Sequence, residues 1–469
     1  MTIAQEMAAF ISRVTFDTLS DSAQIQLKIR VLDALGCAIG ALGSSVTESI
    51  REQIEEFGGA ALCTTIGGRR TAPDRAAFYN SALIRYLDFN DSYLAKGETC
   101  HPSDNIGAVL AACEYANGSG RDFLTALAIA YQVQCRLSDV APVRDKGFDH
   151  TTQGSYAVAA GVAKALRLDE LQAAHALAIC GTAFNALRVT RTGVLSNWKG
   201  LAYPNTAFGC IHAAFLAMRG ITGPLEVFEG NKGFMDSIAG PFEIDWSRED
   251  LERVTRTIVK RYNAEIHSQS AIDGILELKQ ECNFTATEVE RIDIEVFDVA
   301  YKIIGGGEEG DKSIIRTKEA ADHSLPYLIA VALLDGAVTP AQYSPDRIRR
   351  ADVQAMLCKI RIQPSEEFSG RFPEEMPCRL IVYLDGGRKL VKEKHDYEGF
   401  VSRPMRWETV VRKFQLLTEP FTTESLRQRT VDTVADLEGT QINRLADLLQ
   451  KVMSSTQATE KGVLQHGPI

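Results

Sequence analysis

The stretch Ala157-Val158-Ala159-Ala160-Gly161-Val162-Ala163-Lys164-Ala165 sets the terms of the fold. Its small apolar residues recur at three-to-four spacing, so a helix built from it presents a face with little side-chain bulk. Such faces let neighbouring helices approach closely in a large bundle. The same periodicity extends to both sides. Residues 4–14, 22–42, 46–57, 73–87, 106–116, 120–139 and 152–166 repeat apolar positions at helical spacing, and 169–183, 201–217 and 249–256 continue the pattern. The first ~265 residues therefore read as nearly all helix.

Near residue 270 the pattern changes. Arg291-Ile-Asp-Ile-Glu-Val-Phe297 alternates apolar and polar residues at period two, as a half-buried strand does. Cys358-Lys-Ile-Arg-Ile362 and Pro377-Cys-Arg-Leu-Ile-Val-Tyr-Leu384 are further strands, and Asp385-Gly386-Gly387 supplies turn chemistry into residues 389–394. After Pro404 helical patterning returns through Met453, and a polar tail, 456–469, is expected to be disordered. The expected fold class is mainly α. A large all-helical domain, residues 1–268 plus 404–455, is interrupted by a smaller inserted α+β domain, residues 269–403.

Composition bounds the function. A chain of 469 residues with 45% hydrophobic content holds about two to three domains' worth of sequence and can bury a large core. A net charge of −10 supplies no basic face for nucleic acid, and the pairs Arg69-Arg70 and Arg349-Arg350 read as solvated surface. The ten cysteines include no close pair, so zinc and iron–sulfur spacings are absent. Several, such as Cys37 and Cys180, sit in small apolar runs and read as buried thiols of a reducing, cytoplasmic compartment. The N-terminal segment has no uninterrupted apolar core, so neither a secretory signal nor a membrane span is expected.

The segment best suited to chemistry is Tyr86-Leu87-Asp88-Phe89-Asn90-Asp91-Ser92 with His101-Pro102-Ser103-Asp104-Asn105, which joins two of the expected helices. Three carboxylates, a hydroxyl and a histidine suit proton transfer on a small polar substrate. A solvated turn has similar composition. The interleaved Tyr86, Leu87, Phe89, Tyr93 and Leu94 favour a pocket wall, because surface loops seldom carry so many groups that prefer burial.

Four other segments carry polar residues in unusual settings. His150 in Lys146-Gly-Phe-Asp-His150 precedes a helix and reads either as a cap or surface group or as an inward-facing one. Arg188, Arg191 and Lys199 lie in one loop beside Trp198; fixed cations suit a polycarboxylate, and a basic solvated loop is the alternative. Lys260-Arg-Tyr-Asn-Ala-Glu265-Ile-His267-Ser-Gln269 falls where the helical part meets the mixed domain, a favoured place for clefts. Asp322-His323-Ser324-Leu325-Pro326-Tyr327 opens an apolar helix and could be only a cap.

Taken in order, these segments resemble the MmgE/PrpD family, which includes 2-methylcitrate dehydratase and cis-aconitate decarboxylase. The likeness spans nearly the whole chain. Its strongest marks are Leu87-Asp-Phe-Asn-Asp with His101-Pro-Ser-Asp-Asn, Ser196-Asn-Trp-Lys-Gly, Ala264-Glu-Ile-His-Ser-Gln and His323-Ser-Leu-Pro-Tyr. The resemblance implies a large helical domain with an α+β lid, a pocket between them, a homodimer, and neither an iron–sulfur cluster nor an organic cofactor. It places Asp88, Ser92, His101, His150, Lys199, Lys260 and Tyr327 at the positions of the family's site residues. The decarboxylase branch has threonine at the position of Ser92 and histidine at that of Glu265, so the motifs here look closer to the dehydratases.

The expected reaction is removal of water from a small tricarboxylate. Asp88, His101, His150 and Tyr327 are the candidates for acid and base, without assignment among them. Ser92, Arg188, Arg191, Lys199, Lys260, Glu265, His267 and His323 are the candidates for substrate contact. Decarboxylation of cis-aconitate and epimerisation of an amino-dicarboxylate begin from the same acid/base work. A non-catalytic binding protein is the alternative from another class.

Overall fold

The computed structural model describes residues 1–193, 195–308, 310–454 and 458. The expected tail, 456–469, lies outside the described residues apart from Ala458. The fold is mainly α, with 61% of the chain helical. The chain divides into two compact units. The first comprises Met1–Arg191, Asn197–Thr257 and the described residues from Arg406 on, and the second comprises Ile258–Met405 with the described residues of 192–196.

In the first unit the helices begin where side chains satisfy their free N–H groups. Ser20, Ser44, Ser119 and Asp169 accept from the backbone at the starts of Asp21–Gly40, Ser45–Phe57, Gly120–Val140 and Glu170–Ala183. The helix Thr151–Ala165 is buried along most of its length. A Cβ on Gly161 would stand 2.9 Å from Val109 Cγ2 and 3.0 Å from Ala130 Cβ, so helix Thr151–Ala165 meets Ile106–Tyr115 and Gly120–Val140 at a spacing only glycine permits. The C-terminal helix Trp407–Thr418 returns to the first unit with equal intimacy, since a Cβ on Gly36 would stand 3.2 Å from Phe414 Cα.

The structure departs from the sequence expectation in three places here. The connection after Tyr86 holds a two-stranded antiparallel hairpin, Tyr93–Ala95 with Glu98–Cys100. The expected helix at 249–256 is reduced to a 3₁₀ segment, Glu252–Arg256, because Leu251 adopts a left-handed backbone (φ 65°) that an α-helix cannot continue through. Arg70 is not simply solvated: its guanidinium pairs with Glu114, which is 3% exposed, at 2.8 Å.

The second unit is built on a four-stranded sheet in the order Ile360–Pro364, Val289–Val296, Cys378–Leu384, Lys389–Lys394. The first pair is parallel and the others antiparallel. Ile292, Ile294 and Val296 are buried, as are Leu380, Val382 and Leu384, so the period-two alternation marks one covered face. Helix Gln269–Cys282 packs on the sheet, fastened by Lys394 to Asp273 at 2.9 Å, and helix Leu325–Asp335 packs on that helix in turn. Among the described residues no single helix is long and apolar enough to cross a membrane.

Candidate active site

The polar residues of the first unit converge at the loop that follows helix Pro73–Tyr86. Asp88 takes a left-handed backbone (φ 55°), a conformation uncommon outside glycine and better tolerated by aspartate than by most residues. Its buried carboxylate lies between two cations. Arg85 Nη1 donates to Oδ1 at 2.5 Å, and Lys199 Nζ, from the first turn of helix Trp198–Met218, donates to Oδ2 at 3.1 Å. The neighbouring backbone is pinned from the far end of the chain: Lys413 donates to the Phe89 carbonyl at 2.8 Å, lies over the Phe89 ring, and pairs with buried Asp33 at 2.7 Å.

His101 follows the hairpin, and its tautomer follows from its partners. Nδ1 lies 2.8 Å from the Asp91 carbonyl oxygen and 3.0 Å from Ser92 Oγ. A carbonyl only accepts, so Nδ1 carries a proton, and in the neutral form of the ring the lone pair is on Nε2. Asp91 is itself fixed, Oδ1 accepting from the Ser103 backbone N–H at 3.0 Å and Oδ2 from the Tyr131 hydroxyl at 2.7 Å. Burial pushes its pKa up against those hydrogen bonds. Asn90 donates to Ser103 Oγ and Asp104 Oδ1, and Asn105 donates to Gln134 Oε1 and accepts from Tyr203.

His150 stands immediately before helix Thr151–Ala165 and is 3% exposed, which excludes the surface role left open by the sequence. Its side chain makes no capping hydrogen bond. Its ring meets that of His101 edge to face, and its Nδ1 lies 3.3 Å from Asp149 Oδ1. Among the described residues, Nε2 is buried without a hydrogen-bond partner. Burial lowers the His150 pKa to about 3; Asp149 opposes the shift, and Arg191, Arg85 and Arg188 add to it. The ring is therefore neutral at neutral pH. Burial acts to raise Asp149, but Arg191 first, with Arg188, outweighs it and holds that carboxyl well below the usual range.

Arg191 is committed to this support. It grips Asp149 through Nε at 2.6 Å and Nη2 at 3.4 Å, and its Nη1 donates to the Lys199 carbonyl at 3.1 Å. Arg188, in the same 3₁₀ segment, Arg188–Arg191, is partly exposed and adds positive charge near His150. An unbroken chain of contacts thus runs from Asp88 through Lys199, Arg191, Asp149, His150 and His101 to Ser92.

The second unit assembles a smaller cluster. Glu265 Oε1 accepts from His267 Nδ1 at 2.7 Å and Oε2 from the His267 backbone N–H at 2.8 Å. Burial would raise this carboxyl, but His267 first, then His323 and Lys260, hold it at about 2. The loop carrying it is clamped by Gln269, which accepts from the Arg261 and Tyr262 N–H groups and donates to the Tyr262 and Ala264 carbonyls. His323 Nδ1 lies 2.6 Å from Asp322 Oδ1, Lys318 takes Asp322 Oδ2, and the Asp322 carbonyl accepts from the Glu265 N–H. Lys260 is 1% exposed. Tyr327 is fully buried, stacked on Tyr343, with its hydroxyl donated to the Gln342 carbonyl and burial raising its pKa.

Sequence reasoning missed Arg85, Tyr131, Asp149, Asp322 and Lys413 as participants. Arg85 had a usable signal, because it lies three residues before Asp88 at the end of a helix, where side chains meet. Tyr131 and Lys413 had none, since their partners lie 40 and 324 residues away.

The chain belongs to the MmgE/PrpD family: residues 5–247 match its N-terminal domain and residues 262–438 its C-terminal domain. Among characterised relatives, the chain is 24% identical over 440 residues to cis-aconitate decarboxylase of Mus musculus, covering 88% of this chain and 86% of the relative. It is 27% identical over 381 residues to 2-methylcitrate dehydratase of Escherichia coli, covering 76% and 77%. It is also 25% identical over 391 residues to the mitochondrial 2-methylcitrate dehydratase of Yarrowia lipolytica, covering 79% and 74%.

Proposed function

We propose that the protein is a lyase that removes water from a small tricarboxylate, 2-methylcitrate or citrate, giving the corresponding cis-aconitate. The observation that carries this reading is His101, its Nδ1 proton held by the Asp91 carbonyl, beside the edge of His150 and within the chain of contacts that ends at Asp88 and Lys199. Elimination requires a base for the proton on the carbon next to a carboxylate, cations for the charge that develops there, and an acid for the departing hydroxyl. The carbon–hydrogen bond breaks to the base, the carbon–carbon double bond forms, and the hydroxyl leaves with a proton as water.

In this reading neutral imidazole supplies the base, Lys199 and Arg188 hold carboxylates, and Arg191 serves indirectly by fixing Asp149 and the Lys199 backbone. Lys260, Glu265, His267 and His323 of the second unit are the other candidates for substrate contact. Tyr327 supports the backbone there through Gln342. The molecule works as a cytoplasmic homodimer without a cofactor.

The decarboxylase relative matches over the larger share of this chain, so loss of carbon dioxide from cis-aconitate is the second reading. Incubation of the purified protein with 2-methylcitrate, citrate and cis-aconitate in deuterated water, followed by proton NMR, separates the two. Formation of the alkene from the alcohols supports dehydration. Release of carbon dioxide from cis-aconitate with no action on either alcohol overturns it. A thermal-shift screen against the same acids gives an independent ranking, because a ligand of the folded state raises its apparent stability.

A further inference from the structure

The guanidinium of Arg85 faces two carboxylates of the same loop. Nη1 donates to Asp88 Oδ1 at 2.5 Å, and Nε stands 3.7 Å from Asp104 Oδ2. Nη1 also lies 3.5 Å from Asn90 Oδ1, and Asn90 Nδ2 donates to Asp104 Oδ1 at 2.8 Å, so Arg85, Asp88, Asn90 and Asp104 form a connected set. All four side chains are buried. Asp104 Oδ2 is completely enclosed and has no hydrogen-bond partner among the described residues. Asp88 holds its carboxylate in place from a left-handed backbone, a conformation that persists only where surroundings over-determine it.

We infer that Arg85 and Asp104 are positioning residues for Asp88: Arg85 orients the Asp88 carboxylate and favours its charged form, and Asp104 competes for the same guanidinium. This rests on the proposal that Asp88 serves an acid/base reaction. The charge state of Asp104 decides the competition. Burial raises its pKa to about 7; Arg85 and Arg191 oppose that, Asp91 adds to it, and Asn90 and the Tyr203 phenol complete its surroundings. Below neutral pH Asp104 is uncharged and does not draw the Arg85 guanidinium away from Asp88. Above it, Asp88 and Asp104 share the Arg85 guanidinium while Lys199 stays on Asp88, and the hold of Arg85 on Asp88 weakens.

Two variants test the arrangement. Asp104→Asn reproduces the shape of the uncharged acid: its oxygen can accept from Asn90, and its amide replaces the protonated oxygen. The expected result is loss of the inflection near pH 7 from the pH profile of kcat, with kcat at pH 6 and KM within about threefold of the parent. An unchanged profile overturns the role of Asp104. Arg85→Gln is expected to lower kcat about 100-fold with KM little changed, and Arg85→Lys to recover at least about tenfold of that. Equal loss in both variants, or a change confined to KM, overturns the role of Arg85.

A readout that needs no substrate separates this inference from the proposed function. In protein carrying ¹³Cγ-aspartate, with the Asp88 resonance assigned through Asp88→Asn, the Asp88 titration midpoint is expected to rise in Arg85→Gln. A midpoint that stays put overturns the inference even if dehydration is found. A midpoint that rises supports it even if the substrate proves to be another acid.

Discussion

The rings of His101 and His150 meet edge to face with centroids 5.4 Å apart and planes at 73°, and they are fixed by different means. A backbone carbonyl orients His101, whereas a carboxylate locked to Arg191 faces His150. A neutral His150 spares the pair the like-charge repulsion that two imidazolium ions would suffer in a buried place.

Replacing either ring tests the pair. His101→Gln and His150→Gln are each expected to lower kcat by roughly 10²- to 10⁴-fold. The double variant is expected to lose far less than the product of the two, because groups acting as one unit are not additive. Steady-state kinetics on whichever acid the parent converts decides it; independent, multiplicative losses would refute a paired function.

Ser92 plays a smaller part in orienting His101, since the Asp91 carbonyl accepts the same Nδ1 proton. Ser92→Ala is therefore expected to retain the His101 tautomer and to cost less than about tenfold in kcat, the loss of one neutral hydrogen bond. Nitrogen-15 shifts of the imidazole provide the check, and a switch of the proton to Nε2 contradicts the assignment.

Lys413→Met leaves Asp33 charged or protonated in a fully buried place without its cation, where burial already raises the Asp33 pKa. Removing one partner of a buried pair costs roughly 3–5 kcal/mol. Urea denaturation is expected to register that loss, and Lys413→Met combined with Asp33→Asn to recover more than half of it. Activity should fall in the single variant as well, because the Phe89 backbone beside Asp88 loses its donor.

Glu265 provides a pH test. Its folded pKa is about 2 against an ordinary 4.5, so the stability it contributes is present above about pH 4.5 and is lost as pH falls toward 2. Glu265→Gln is expected to melt lower than the parent at pH 7, with the gap closing as pH drops through that window. A gap that is constant with pH indicates that the carboxylate charge does not stabilise the fold.

The helical unit was legible because its periodicity runs for hundreds of residues and its small residues coincide with close helix contacts, as at Gly161. The strands were equally clear, since Val289–Val296 alternates buried and more exposed positions along nearly its whole length. The hairpin at Tyr93–Cys100 was not, because three-residue strands are too short for a period to register. Asp88 and His101 stood out by composition. The commitment of Arg191 to Asp149 did not, because a guanidinium that binds substrate and one that braces a neighbouring acid look alike in one dimension.

The grip of Lys413 on Phe89 also has a temporal meaning. A ribosome delivers residue 89 long before residue 413, and the entire second unit is synthesised between them. The loop bearing Asp88 thus receives this fastening only after the second unit has been made, so a chain that stops before Lys413 holds the chemical groups without part of the frame that sets them.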